Sequence, residues 1–141
     1  MMAVIVTVFI VDQYIKSLFV VDGFRYYGDY IDLILVYNKG VAVSMLAFLE
    51  EWLKYLQLLV VVMVLVYVIS LKNPCYAIPS GLMLGGAFSN IYDRFIHGGV
   101  VDMVFWHYGF DFAVFNFADV IIDLAVIIFL LIHLKPSLCV K

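Results

Sequence analysis

Four long apolar stretches divide the chain, and polar segments separate them. Each stretch is close to the roughly 20 residues that an α-helix needs to cross about 30 Å of hydrocarbon. Pro74 closes the second stretch and Pro136 closes the fourth, because proline interrupts a continuing helix. The pattern predicts four transmembrane helices, over residues 1–21, 53–71, 75–92 and 115–134.

The segments between these stretches are too polar to cross a membrane. Residues 32–37 are sufficiently β-branched and aromatic for a strand, Asn38-Lys39-Gly40 signals a turn, and residues 41–48 suit a return strand. We therefore expect a small β element within residues 22–51. Residues 94–114 form a second polar connection, which is rich in aromatic residues and glycine.

Composition supports a membrane protein. Of 141 residues, 67% are hydrophobic and 13% are charged, and the mean hydropathy is +1.12. Soluble domains average about 45–50% apolar and about 25% charged residues. The fold class predicted for residues 1–141 is therefore a single all-α integral membrane domain. It has four transmembrane helices, a small β element outside the membrane and a polar connecting loop or helix.

The net charge and the spacing of the cysteine and histidine residues argue against nucleic-acid-binding and metal-binding proteins. The net charge is −3 and no basic patch is present, which argues against nucleic-acid binding. Cys75 and Cys139 match no metal or redox spacing, so we expect two inert thiols. The three histidines are too scattered for a zinc-binding helix motif. No metal or other cofactor is expected.

The distribution of charge predicts an orientation. The Lys72 loop and the segment from Lys135 to Lys141 hold three lysines and no acidic residue. The positive-inside rule therefore places this loop and both termini in the cytoplasm. The segments 22–51 and 94–114 then face outward, although they also carry Arg25 and Lys39.

Candidate chemistry is concentrated in residues 85–123, where charged side chains lie beside apolar helices. Charged groups at membrane depth are costly and are typically functional. Asn116, Asp119 and Asp123 recur at helical spacing, so they share one face that we expect to point into the bundle. Asp102 lies on the preceding connection, which is long enough to return to that face. Two neighbouring carboxylates share a proton, which lets one act as acid and the other as base on a water molecule.

Structural roles compete with this interpretation. Asp12 and Lys16 are four residues apart on the first helix and can form an ion pair, or they can contact a substrate. Asp93 and Arg94 suit a salt bridge or a loop anchor.

A proton-coupled transporter or channel also needs carboxylates, but the repeated halves and broken helices typical of such proteins are missing from the sequence. A scaffold subunit with structural charges is the third possibility.

At these residues the chain resembles the lipoprotein signal peptidases (signal peptidase II), the aspartic membrane peptidases of bacteria. The resemblance covers almost the whole length. Five blocks carry it in chain order: Asp12-Gln13-Tyr14-Ile15-Lys16; Asn38-Lys39-Gly40-Val41-Ala42; Gly85-Gly86 with Asn90 and Asp93-Arg94; Val100-Val101-Asp102; and Phe115-Asn116-Phe117-Ala118-Asp119.

The resemblance implies a catalytic pair, Asp102 and Asp119. It implies cleavage of a diacylglyceryl-modified prolipoprotein just before the lipidated cysteine, by a monomer in contact with lipids of the bacterial inner membrane, near the outer leaflet. It also implies an outer β-cradle over residues 22–51 and a periplasmic helix within 94–114. The implied supporting and substrate-binding residues are Asp12, Lys16, Asn38, Gly40, Gly86, Asn90, Asp93, Arg94, Val100, Asn116 and Ala118.

Individual roles follow from the same resemblance. Asn38 and Arg94 are expected to hold substrate backbone or lipid-proximal groups, whereas Asn90 and Asn116 are expected to orient the aspartates. Two positions depart from the family pattern. Ser89 stands where glycine is common, and because it is small we expect little effect. Val43 replaces a usual aromatic residue and can alter the contact of the cradle with lipid.

Overall fold

The computed structural model describes residues 1–39 and 50–139. Four α-helices and three β-strands make up its regular structure, and two short 3₁₀ turns flank the third and fourth helices. In chain order the elements are α1 Met2–Val20, β1 Tyr26–Tyr27, β2 Ile31–Asn38, α2 Glu50–Leu71, the turn Pro74–Tyr76, α3 Ala77–Ile96, β3 Val100–Trp106, α4 Phe117–Leu134 and the turn Pro136–Leu138.

Three of the four helices are long and apolar enough to cross a membrane. They are α1, the Lys54–Leu71 part of α2, and α4. The helix α3 is less apolar, because it contains several glycines together with Ser89, Asn90 and Asp93. These residues are buried against neighbouring elements. The four predicted helices are therefore present, and α3 is the one that packs against the other three.

Small residues let α3 approach its neighbours closely. A Cβ atom at Gly81 or Gly85 would lie 2.8 Å from a valine side chain of α1, and one at Gly86 would lie 2.9 Å from the carbonyl oxygen of Ala118 on α4. Real Cβ contacts are longer than this, so these helix axes approach to a distance that only glycine allows. The four-residue spacing of small side chains on α3 thus sets both of its main contacts.

The first helix presents a narrow inward stripe. Its buried residues are Ile5, Val8, Asp12, Lys16 and Phe19, which recur every three or four positions. This spacing places one side of a helix against its neighbours. Asp12 and Lys16 therefore point into the bundle together with the apolar members of the stripe.

An antiparallel three-stranded sheet lies at one end of the helices, in the order β1-β2-β3. The predicted strand over residues 32–37 is confirmed within β2, which pairs Asn38 with Val100 and Val36 with Asp102 on β3. The sheet packs on α1 through Phe19, Val101 and Met103. The predicted return strand at 41–48, together with Gly40 and Val43, lies outside the described residues.

The connection 94–114 differs from the prediction. The resemblance implied a helix there, and this is wrong: its regular element beyond the end of α3 is β3. The run Val100-Val101-Asp102-Met103-Val104 is mainly β-branched, and β2 offers it a hydrogen-bonding edge. The consequence for function is that a strand, paired on one side and packed on α1, holds Asp102.

Cysteine chemistry is also different from the prediction. Cys75 and Cys139 form a disulfide and are not two separate thiols. Cys75 lies in the turn before α3 and Cys139 follows the turn after α4, at the end of the bundle opposite the sheet. Their wide separation in sequence gave no signal for this pairing, because only the antiparallel packing of α3 and α4 brings their ends together.

We predict that Gly86→Ala destabilises the protein, because the added methyl group meets the Ala118 carbonyl oxygen at 2.9 Å. Overpacking of this kind costs about 1–3 kcal/mol of unfolding free energy. Thermal unfolding in detergent provides the measurement. Ile78→Ala is the control, since Ile78 lies on the same helix with 62% of its side chain exposed. A Gly86→Ala protein as stable as the wild type would contradict this close approach.

Candidate active site

Asp102 is held by two asparagine amides. Asn116 donates from Nδ2 to Asp102 Oδ1 at 2.6 Å, and Asn38 donates from Nδ2 to Asp102 Oδ2 at 2.8 Å. Only 2% of Asp102 is exposed. A carboxylate oxygen can accept more than one hydrogen bond, so both oxygens keep capacity for a water molecule. The resemblance implied substrate contact for Asn38, and in the structure its amide donates to Asp102.

Asp119 lies in the first turn of α4 and completes a capping box with Asn116. The backbone nitrogen of Asn116 donates to Asp119 Oδ2 at 3.1 Å, and the Asn116 side-chain oxygen accepts from the Asp119 backbone nitrogen at 2.9 Å. Asn90 donates from Nδ2 to Asp119 Oδ1 at 2.9 Å. These contacts fix the carboxylate at a helix N-terminus, where negative charge is favoured.

Asn116 connects the two aspartates. Its side chain is fully buried and binds Asp102, while its backbone nitrogen binds Asp119. The same side chain donates to Asn90 Oδ1 at 3.2 Å, and Asn90 in turn holds Asp119. The structure therefore brings Asp102 and Asp119 into one hydrogen-bonded group, as the sequence predicted for a pair of carboxylates.

A buried ionic cluster lies directly behind this pair. Lys16 Nζ contacts Asp12 Oδ2 and Asp93 Oδ2 at 2.6 Å each, and donates to Asn90 Oδ1 at 2.8 Å. An ammonium group has three donors, and these three partners use all of them. Asp12, Lys16 and Asp93 are each at most 2% exposed. The predicted Asp12–Lys16 ion pair is formed, and Asp93 pairs with the same lysine.

The cluster also fixes the backbone near both catalytic candidates. The backbone nitrogen of Val101, next to Asp102, donates to Asp93 Oδ2 at 3.1 Å. The backbone nitrogen of Ala118, next to Asp119, donates to Asp12 Oδ1 at 2.9 Å. Asp93 is thus both an ion-pair partner and an anchor for the start of β3, and the sequence suggested a salt bridge or a loop anchor for this residue.

The sequence patterns predicted no role in this cluster for two of its residues, Gln13 and Ser89. Gln13 donates from Nε2 to Asp93 Oδ1 at 2.7 Å and to Ser89 Oγ at 2.8 Å, and Ser89 donates to Asp12 Oδ2 at 2.6 Å. Ser89 therefore contributes more than small size, because a glycine at this position would leave both side-chain contacts unmade. A usable signal existed: Ser89 and Asp93 are four residues apart on α3 and share a face.

The remaining predicted residues occupy varied positions. Gly86 and Val100 are buried beside the pair, on α3 and β3. Arg94 interacts electrostatically with both aspartates of the pair, and its Nε atom is buried with no hydrogen-bond partner among the described residues. Asp123 is exposed, so the prediction that it faces the bundle interior is wrong. It lies one turn beyond Asp119 on α4, and no helix among the described residues buries it there.

The protonation of Asp102 follows from its surroundings. Burial raises the pKa of Asp102 from 3.8 to about 6, against the opposing effect of hydrogen bonds from Asn38 and Asn116; the charge of Asp119 raises it further. Two carboxylates in one desolvated site resist simultaneous ionisation. Asp102 is therefore suited to carry a proton at mildly acidic pH.

We predict a pH-dependent stability difference between the wild type and Asp102→Asn. Because the pKa of Asp102 is about 6 in the folded chain and near 3.8 when unfolded, the folded state binds more protons between these values. The stability that this proton contributes is complete below about pH 4 and is lost as pH rises through about 6.

The measurement is the thermal midpoint of both proteins in detergent from pH 4 to pH 7. Relative to the wild type, Asp102→Asn should gain stability as pH rises, because an amide cannot ionise. Asp111→Asn is the control, since Asp111 is an exposed carboxylate on the same connection. A constant difference between the wild type and Asp102→Asn over this range would contradict the raised pKa.

Comparisons with known proteins agree with the resemblance. Residues 4–135 match the family model described as signal peptidase (SPase) II. A lipoprotein signal peptidase of Sulfurimonas denitrificans is 72% identical over 132 residues, which cover 94% of this chain and 86% of that protein. One of Wolinella succinogenes is 52% identical over 127 residues, which cover 89% and 86%.

Solved structures show the same fold. A bacterial membrane enzyme determined by the in meso method at 2.3 Å superposes with a TM-score of 0.78 at 23% identity, over 96% of this chain and 87% of that one. The family model spans most of the chain, and the relatives match it at high identity over nearly their whole length. The chain therefore belongs to the signal peptidase II family.

Proposed function

We propose that the protein cleaves the signal peptide of diacylglyceryl-modified prolipoproteins just before the lipidated cysteine, with Asp102 and Asp119 as the catalytic pair. The observation that carries the assignment of these residues is the position of Asn116, which binds both carboxylates. Lipoprotein signal peptidases among the relatives support the substrate class. The transporter or channel alternative finds no support among them.

The proposed chemistry needs only these carboxylates and water. Asp119, as base, takes a proton from the water whose oxygen attacks the scissile carbonyl carbon. Asp102, as acid, gives its proton to the carbonyl oxygen, which forms a tetrahedral gem-diol. When the C–N bond breaks, the amine of the lipidated cysteine takes a proton from Asp119, and a hydroxyl proton returns to Asp102. The new terminus of the signal peptide leaves as a carboxyl group.

The supporting residues hold this pair in place. Asn38, Asn90 and Asn116 each donate to a carboxylate of the pair, so the two acids cannot rotate freely. Lys16 holds Asn90 from behind and is itself held by Asp12 and Asp93. Preorganised donors of this kind lower the reorganisation needed during reaction.

The bundle is proposed to lie in the bacterial inner membrane with four spans, which are the three apolar helices together with α3. Asp119 begins α4 and the sheet covers that end, which suits an active site at the outer leaflet, where an acylated cysteine is held. The lysines at positions 72 and 135 mark the opposite, cytoplasmic end, together with both termini. We propose that the protein acts as a monomer in contact with membrane lipids.

We predict that Asp102→Asn and Asp119→Asn each abolish cleavage, because each removes the acid or base of the reaction. Losses of at least about 10²–10⁴-fold are expected when a general acid or base is lost. The measurement is turnover of a diacylglyceryl-modified precursor by purified protein in detergent. Asp111→Asn, which changes an exposed carboxylate nearby, should cleave as the wild type does. Normal turnover by either of the first two variants, with retained thermal stability, would refute the pair.

We predict that the orientation can be measured with the two native cysteines, because the chain has no others. In the proposed orientation Cys75 and Cys139 face the cytoplasm, and a membrane-permeant reductant opens the disulfide that joins them. After this treatment a membrane-impermeant maleimide should leave intact spheroplasts unlabelled and should label both residues once the membrane is permeabilised. Labelling of intact, reductant-treated spheroplasts would place this end outside and reverse the proposed topology.

A further inference from the structure

A cavity opens between α2, α3 and α4 beside the aspartate pair. Its volume is about 310 Å³, and its lining includes Leu56, Gln57 and Val60 on α2, Ala87 and Asn90 on α3, and Ile122 on α4. Asn90 is the residue that holds Asp119, so the cavity reaches the immediate surroundings of the catalytic pair. Ligand cavities begin at about 300 Å³, which is enough for a short stretch of peptide.

The packing of the helices explains why this side is open. The helix α3 packs against both α2 and α4, whereas α2 and α4 share no comparable contact in the described part of the chain. The space between them therefore faces the membrane sideways. A substrate that is itself embedded in the bilayer can approach through such a gap without leaving the lipid.

One polar atom in the cavity wall has no partner. Gln57 Oε1 is buried and accepts no hydrogen bond among the described residues. Gln57 is also the one side-chain amide on α2, and the next residues along that helix are all apolar as far as Val66. A buried acceptor without a donor is unfavourable, and in native proteins it calls for an explanation.

The chemistry of a carbonyl oxygen limits what can satisfy it. An acceptor needs a donor, and acyl chains and their ester groups provide none. A helical peptide in a membrane already uses its backbone N–H groups internally. A free backbone N–H at this depth is therefore found where a peptide is not helical, and a bond under attack by water must be accessible in such a stretch.

We infer that Gln57 positions the substrate, with its side-chain carbonyl accepting a hydrogen bond from one backbone N–H in the non-helical stretch of the signal peptide beside the scissile bond. The apolar part of the cavity then takes a neighbouring apolar side chain of that stretch. This inference rests on the proposed function. It gives Gln57 on α2 an uncharged contact with the substrate, while Asp102 and Asp119 carry out the reaction.

The experiment combines an enzyme variant with substrates that lack single N–H groups. Lipidated precursor peptides are made with one backbone amide at a time replaced by an ester on either side of the scissile bond, which itself stays an amide. They are assayed with the full-length wild type, Gln57→Leu and Gln57→Glu. Leu59→Ala is the matched control, because Leu59 lies two residues away on α2 and is 55% exposed.

For the wild type we expect one ester position to lower kcat/KM by up to about tenfold, the loss of one hydrogen bond between uncharged groups. For Gln57→Leu we expect a similar loss on the all-amide peptide and no further loss at that position. Gln57→Glu keeps an acceptor oxygen and should restore the sensitivity. Leu59→Ala should behave as the wild type does. If leucine lowers the thermal midpoint, Gln57→Met repeats the test with a longer side chain.

Two outcomes would overturn the inference while leaving the proposed function intact. One is unchanged kcat/KM for Gln57→Leu, and the other is an equal loss in wild type and variant for every ester position. A loss that depends only on the acyl chains of the precursor would assign the cavity to lipid and would also overturn it. Failure of the proposed function looks different: the wild type would not cleave, or Asp102→Asn would cleave normally.

Discussion

The hydrogen bonds of Asn116 are the constraint on which the rest of the site depends. This one residue caps α4, binds Asp102 through its side chain and binds Asp119 through its backbone. The distance between the two carboxylates is therefore set by the geometry of a helix cap and not by flexible side chains. The cap also satisfies backbone donors at the start of α4 that otherwise lack partners, which stabilises this arrangement.

Behind the cap, one buried cation compensates two buried anions. Lys16 uses all three of its donors on Asp12, Asp93 and Asn90. A buried charge without partners is strongly unfavourable, so each member of this cluster requires the others. The same carboxylates bind the backbone at Val101 and Ala118, the neighbours of the catalytic candidates. The cluster thus connects α1, α3, β3 and the start of α4 at a single point.

The close approach of α3 makes this connection possible. With glycine at positions 81, 85 and 86, α3 lies against α1 and α4 at distances that a Cβ atom would prevent. The short side chains of Ser89, Asn90 and Asp93 can then reach across to their partners. The helix α3 also packs against α2, and the cavity lined by Gln57 lies between α2, α3 and α4. The tightly joined half that carries the proposed catalytic pair thus lies beside an accessible flank, which agrees with the proposal that the substrate arrives through lipid.

The sequence by itself determined the helices and the strand at 32–37, since these depend on local patterns of apolar and polar residues. The choice of Asp102 and Asp119 as the acidic pair came from the resemblance to signal peptidase II. The membrane class followed from composition, and the shared face of Asp12 and Lys16 followed from their four-residue spacing. Tertiary structure decided the strand character of residues 100–106, the pairing of Cys75 with Cys139, the contacts of Ser89 and the exposure of Asp123. The first three depend on a partner distant in sequence: an edge of β2, the end of another helix, or a carboxylate on α1. The exposure of Asp123 depends on there being no covering helix among the described residues. Contacts between distant parts of the chain produce no periodic pattern in the sequence, so local pattern alone could not predict them.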